Sequence, residues 1–170
     1  AELFRKMKRF LWISQKLPLF ILTIPVIVMI RLIKPWLLVR WGELPSPRIG
    51  HFASNTELYL CERAAGINVP RQPHVDIFFL ERPISNHQLV KMWKRIIRIW
   101  PIWIMSSISR VNRRIPGGAT HEIGDNTQSD RDVHNLLDRF QPHPKFTVEE
   151  EDCGKTALKM MGIPIDAPFV

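Results

Sequence analysis

The segment "LPLFILTIPVIVMI", residues 17–30, carries no charge, and it restricts what this chain can be more than any other stretch. With Arg31 and Lys34 tolerated, the apolar character runs on to Val39. At about 1.5 Å per residue, a helix over 17–39 reaches roughly the thickness of a bilayer's hydrocarbon core. Cations flank the run on both sides: Arg5, Lys6, Lys8, Arg9 and Lys16 ahead of it, Arg31, Lys34 and Arg40 behind. A single span normally has one basic side, and Pro18, Pro25 and Pro35 break a long helix into short pieces. A helical segment lying in the membrane, or re-entering from one face, fits these facts best. A true span and a buried hairpin of a soluble domain are the alternatives. No small-x-small cleavage site follows, which argues against a signal peptide.

Charge is distributed in blocks. The net charge is +8 over 170 residues. Residues 1–41 hold eight Lys/Arg against Glu2 alone, and residues 82–121 hold eight with no acid, whereas 42–81 and 122–170 are acidic on balance. The tryptophans divide the same way: Trp12, Trp36 and Trp41 in the first basic block, Trp93, Trp100 and Trp103 in the second. Trp beside Lys/Arg suits a membrane interface. It also suits nucleic acid, but no nucleic-acid domain needs the apolar run, and most of the net charge belongs to it. Cys61 and Cys153 form neither a disulfide framework nor metal-ligand spacing and read as reduced thiols. No metal site is expected.

Beyond residue 42, short apolar runs alternate with amphipathic helices, the pattern of an α/β layered domain. In "SNTELYLCERAAG" the spacing predicts a helix over 54–65, with Ser54 and Glu57 as a capping box and Gly66 just past its end. "HVDIFFL", 74–80, reads as a buried strand. "SNHQLVKMWKRIIRIW" reads as one helix over 86–100, with Leu89, Met92, Trp93, Ile96, Ile97 and Trp100 on its apolar face, and Pro101 ends it. Another helix is expected over 102–115, closed by "PGG". A further one starts at Ser129, and one more spans "TVEEEDCGKTALKMMG" with a Thr147–Glu150 capping box. "PIDAPFV" looks like the opening of a strand, and the chain starts without methionine, so both ends read as those of a fragment. The division is an anchor over 1–41 and an α/β domain over 42–170.

No motif names the chemistry by spacing alone: there is no Walker P-loop, GxGxxG, HExxH or GxSxG. Two loops are candidates. Arg48, Gly50, His51 and Asn55 cluster before and within the 54–65 helix. A glycine there lets a ligand approach the backbone, and His51 is suited to act as a general base or phosphate contact. A capped turn with a solvated histidine explains the same residues. Residues 117–132 gather His121, Glu122, Asp130, Arg131 and Asp132, a long polar stretch that is either a binding loop or a solvated connector. The basic helix offers Lys91, Lys94, Arg95 and Arg98, with Trp36, Trp41 and Trp93, as membrane contacts; a plainly solvated face and a phosphate-binding site are the other readings.

The words "RIGHFASNTELYL", "VDIFF", "NHQLVKMWKR", "RVNRRIPGG", "NTQSDRDVHNLLDRF" and "MGIPIDAPFV" together resemble a family of bacterial glycosyltransferases encoded with surface-polysaccharide genes. The resemblance covers roughly 40–170. It implies a GT-B-like fold, of which this chain is the Rossmann-like, acceptor-side N-terminal half, preceded by the membrane-associated segment. It implies transfer from a nucleotide sugar to a lipid-linked or polysaccharide acceptor at the cytoplasmic side of the bacterial inner membrane. No cofactor or bound metal is implied, since helix dipoles and basic side chains hold the leaving diphosphate. By the resemblance, Gly50 and His51 lie on the loop facing the interdomain cleft. His51 becomes the catalytic candidate; Arg48, Gly50, Asn55, His121, Asp130 and Arg131 become substrate-binding candidates. A membrane-anchored scaffold without catalysis is the second reading, and a nucleic-acid-binding module the third.

Overall fold

The computed structural model describes residues 22–123 and 131–164. Helix α1 covers 22–33. It is followed by β1 (Leu38–Leu44), α2 (Ile49–Ala64), β2 (His74–Leu80), α3 (His87–Lys94), β3 (Arg98–Ile99) and α4 (Ile102–Asn112). A 3-10 turn at Gly118–His121, the one-turn α5 (Leu136–Arg139) and α6 (Val148–Met160) complete the described elements.

The strands form a parallel sheet in the order β1-β2-β3. On the free side of β1, Glu122 bridges Trp41 in parallel, and Ile123 N–H donates to Trp41 O at 2.8 Å. The order across the sheet is therefore 122–123, β1, β2, β3, so the chain reverses its direction of winding at β1. This α/β arrangement, with helices between parallel strands, is compatible with a Rossmann-like fold.

Both faces of the sheet are covered, as parallel sheets require. On one, Leu44 and Phe78 pack with Phe52, Tyr59 and Leu60 of α2 and with Val90 and Trp93 of α3. On the other, Trp41, Ile77 and Phe79 pack with Ile27 and Ile30 of α1 and with Met105 and Ile108 of α4. Within the first face lies a buried charge network. Arg40 and Asp76 are register partners. The Arg40 guanidinium donates to both Asp76 oxygens, at 2.8 and 2.7 Å, and the Tyr59 hydroxyl donates to Oδ2 at 2.5 Å.

Several sequence expectations are met. β2 occupies 74–80 as read. The Thr147–Glu150 capping box opens α6, and Gly66, Gly117 and Gly162 all take the positive φ that ends helices and turns. Others are corrected. Helix α2 begins at Ile49 with Arg48 as N-cap. Ser54 is an interior residue whose hydroxyl donates back to Gly50 O at 2.8 Å. The helix expected over 86–100 stops at Lys94, and Arg98–Ile99 pair with Ile77 and Phe78 as β3. β1 takes in Leu38–Trp41, so the sheet begins inside the segment assigned to the anchor. Among the described residues no helix is long and apolar enough to cross a membrane. Of the helix expected from Ser129, the described part is helical only over Leu136–Arg139, with Asn135 as N-cap; Ser129 itself and most of the strand expected after Ile163 lie outside the described residues.

Removing one member of a buried ion pair leaves an uncompensated charge, at a cost of about 3–5 kcal/mol. Asp76→Ala should lower the unfolding free energy, read from the urea midpoint and slope, by an amount of that order, while the Arg40→Met/Asp76→Leu double variant recovers most of the loss. A midpoint shift worth under about 1 kcal/mol for Asp76→Ala would show that the pair does not hold the sheet.

Candidate functional site

In open parallel sheets ligands collect beyond the carboxyl ends of the strands. Here the loops leaving β1 and β2 are joined at that edge by one serine. Ser46 is fully buried. Its hydroxyl donates to Glu81 O at 2.5 Å, and its own carbonyl accepts from the Ser85 N–H at 2.9 Å and the Ser85 hydroxyl at 2.7 Å. The stitched loops enclose an open groove of about 500 Å³ lined by Pro45, Pro47, Arg48, His51, Glu81, Arg82 and Pro83.

His51 and Arg48, both read from sequence, thus come together, at the N-cap and first turn of α2. Gly50, the substrate-binding candidate between them, is exposed but does not line the groove. Sequence reasoning missed Glu81 and Arg82. They directly follow β2, and only the β1–β2 register puts them opposite the β1 loop. Glu43, the penultimate residue of β1, is held above the usual carboxylate range, first by burial and then by the charge of Glu81, with Arg113 opposing. The edge therefore offers an imidazole, two guanidiniums and two mutually repelling carboxyls. Such a set can take a proton from a hydroxyl and hold an anionic group.

The remaining sequence candidates are dispersed. Asn55 is buried one turn below His51, with its Oδ1 accepting from the Ser54 hydroxyl at 3.2 Å. His121 is 1% exposed. Its ring stacks on Trp41 at 5.6 Å, and Nδ1 lies 2.7 Å from Val39 O, which requires the proton on that nitrogen. It is a core histidine. Asp130 lies outside the described residues, and Arg131 is exposed.

Of the expected membrane contacts, Trp41 and Trp93 are interior, 2% and 0% exposed. They lie on opposite faces of the sheet, where their rings fill the two cores. Arg95 pairs with Glu150 of α6 at 2.9 Å. Lys91, Lys94 and Arg98 are exposed, as is Trp36.

The donors of Glu57, Cys61 and His143 lie within 4.8 Å of one another, close enough to share a metal ion. In the structure they form a hydrogen-bonded joint between α2 and the chain at 143. Glu57 Oε1 accepts from the His143 N–H at 3.0 Å and lies 2.7 Å from its Nδ1. Burial, followed by the Glu57 carboxylate, pushes the Cys61 thiol up to about 11. A second cavity, about 230 Å³, lies towards the opposite end of the sheet beside Arg40, Tyr59, Arg63 and Asn68.

Comparison with known protein families, with curated proteins and with solved structures found no match to this chain.

Burial holds the His121 pKa below its ordinary value near 6.5; the Val39 bond works the other way, and the charges of Lys34 and Arg31 add to the lowering. Below about pH 6.5 the unfolded chain takes up a proton that the folded chain refuses, so stability is lost as pH falls through that value. Tm should fall between pH 7 and 5, and His121→Phe, which keeps a ring against Trp41, should flatten that slope. Equal slopes would show that another group is responsible.

Proposed function

We propose that this chain is the acceptor-side, Rossmann-like half of a membrane-associated glycosyltransferase of the GT-B type, working on cell-surface polysaccharide at the cytoplasmic face of a bacterial inner membrane. The observation that carries the reading is the gathering of His51, Arg48 and Arg82 in one groove at the carboxyl edge of a parallel sheet. His51 accepts the proton released by the acceptor hydroxyl as its oxygen bonds to the sugar's anomeric carbon. The bond from that carbon to the nucleoside diphosphate breaks, and the electron pair leaves with the diphosphate. Guanidinium groups at the groove favour that anionic leaving group.

Membrane association is supported by α1. Thr23, Ile27 and Ile30 are its buried stripe, while Leu22, Val28, Met29 and Leu32 stand 48–67% exposed and Trp36 74%. Arg31, a charge within an apolar helix, is absorbed by the fold. It donates to Pro116 O at 2.7 Å, to Asn112 Oδ1 at 2.9 Å and to Ile115 O at 3.2 Å. What α1 leaves outward is therefore apolar, suited to lie against lipid. A membrane-anchored scaffold without catalysis would use the same face, and activity separates the two readings.

Membranes carrying the full-length protein should transfer label from a nucleotide sugar to a lipid or polysaccharide acceptor. Loss of a general base costs about 10²–10⁴-fold, so His51→Ala should cut transfer by at least about 100-fold without changing the protein's Tm. Transfer unchanged by His51→Ala would remove His51 from the mechanism, and no transfer from any nucleotide sugar would favour the scaffold.

A further inference from the structure

Beside the His51 groove, and sharing Arg82 with it as a wall, is a further cavity of about 290 Å³ between β2, β3, α3 and the start of α4. Its chemistry is divided. Ile84, Val90, Ile99 and Ile102 give it an apolar lining, and Trp100, 47% exposed, stands at its side. Arg82, His87 and Lys94 supply its polar groups, and among the described residues no carboxylate lines it. Helix α4 starts at this cavity with Pro101 as N-cap and no side-chain cap, so its positive end is also directed there.

A cleft lined only for sugar would mix donors with carboxylates, and one lined only for a greasy ligand would not gather three basic side chains. We infer that the cavity binds a phosphate ester carried on an apolar chain. The phosphate lies among Arg82, Lys94 and His87, and the first carbons of the chain lie along Ile84, Val90, Ile99 and Ile102. The volume is at the low end for small-molecule pockets (about 300–1,000 Å³), so it holds the head and the start of the chain. The remainder leaves past Trp100 towards Trp103, 60% exposed on the first turn of α4. This deepens the transferase reading and rests on it for its purpose: a lipid-linked acceptor seated here has its head group at the Arg82 wall, next to His51.

The probes are farnesyl phosphate below its micelle concentration, farnesol and inorganic phosphate, each titrated calorimetrically into the full-length protein. Farnesyl phosphate should bind at least about tenfold more tightly than either of the others. Lys94→Gln, an exposed substitution, should weaken it about tenfold, the size of one charge-assisted hydrogen bond, and Trp100→Ala should weaken it too. Lys91→Gln, on the same helix but outside the cavity, should leave binding unchanged. Farnesol binding as tightly would overturn the phosphate site, inorganic phosphate binding as tightly would reduce it to a free-anion site, and an unaffected Lys94→Gln would move it elsewhere. Sugar transfer is read separately. Farnesyl phosphate binding without any transfer sinks the transferase and keeps this site; transfer with an unchanged KM for the lipid acceptor in Lys94→Gln sinks this site and keeps the transferase.

Discussion

The rest of the structure depends on the buried fork between Arg40 and Asp76. Because the side-chain period of a strand is two, slipping β1 by one residue against β2 would turn Arg40 to the opposite face from Asp76. Both charges would then be buried without a partner, which costs far more than the pair gains. The pair therefore acts chiefly as a register lock, reinforced by the Tyr59 hydroxyl, which ties α2 to the same carboxylate. With that register set, Leu44 and Leu80 end their strands side by side. The two loops beyond them can then meet through Ser46.

The same constraint separates the molecule's surfaces. Parallel strands need helices on both faces, so one face receives α2 and α3 and the other α1 and α4. The carboxyl edge is left for polar chemistry. The outer side of α1 stays apolar because its only described cation before Lys34 is spent on carbonyls of the turn that follows α4.

Much of this was legible in the sequence where the signal was local. "HVDIFFL" could only be a short buried run, and Thr147-x-x-Glu150 sat where its helix starts. The failures were cases where a local pattern had a distant owner. Ser54-x-x-Glu57 imitates a capping box, yet Glu57 is engaged with His143, 86 residues away. Apolar residues at helical spacing ran on through 96–100, but β2 claims Arg98 and Ile99 as a strand. Tryptophan beside cations suggested lipid for Trp41 and Trp93, because composition cannot distinguish an exposed ring from one packed on the sheet. His51 and Arg48 were visible as a loop cluster. Glu81 and Arg82 were not, since only strand register brings them to it.

We propose that substrates bind at the carboxyl edge, and hydrogen–deuterium exchange of the full-length protein, with and without nucleotide sugar and lipid acceptor together, decides it. Ligands at that edge should slow exchange in peptides covering residues 45–52 and 81–88 and leave 62–70 unchanged. Protection confined to 62–70, around the cavity beside Arg40 and Asn68, would put the substrates at the other end of the sheet instead.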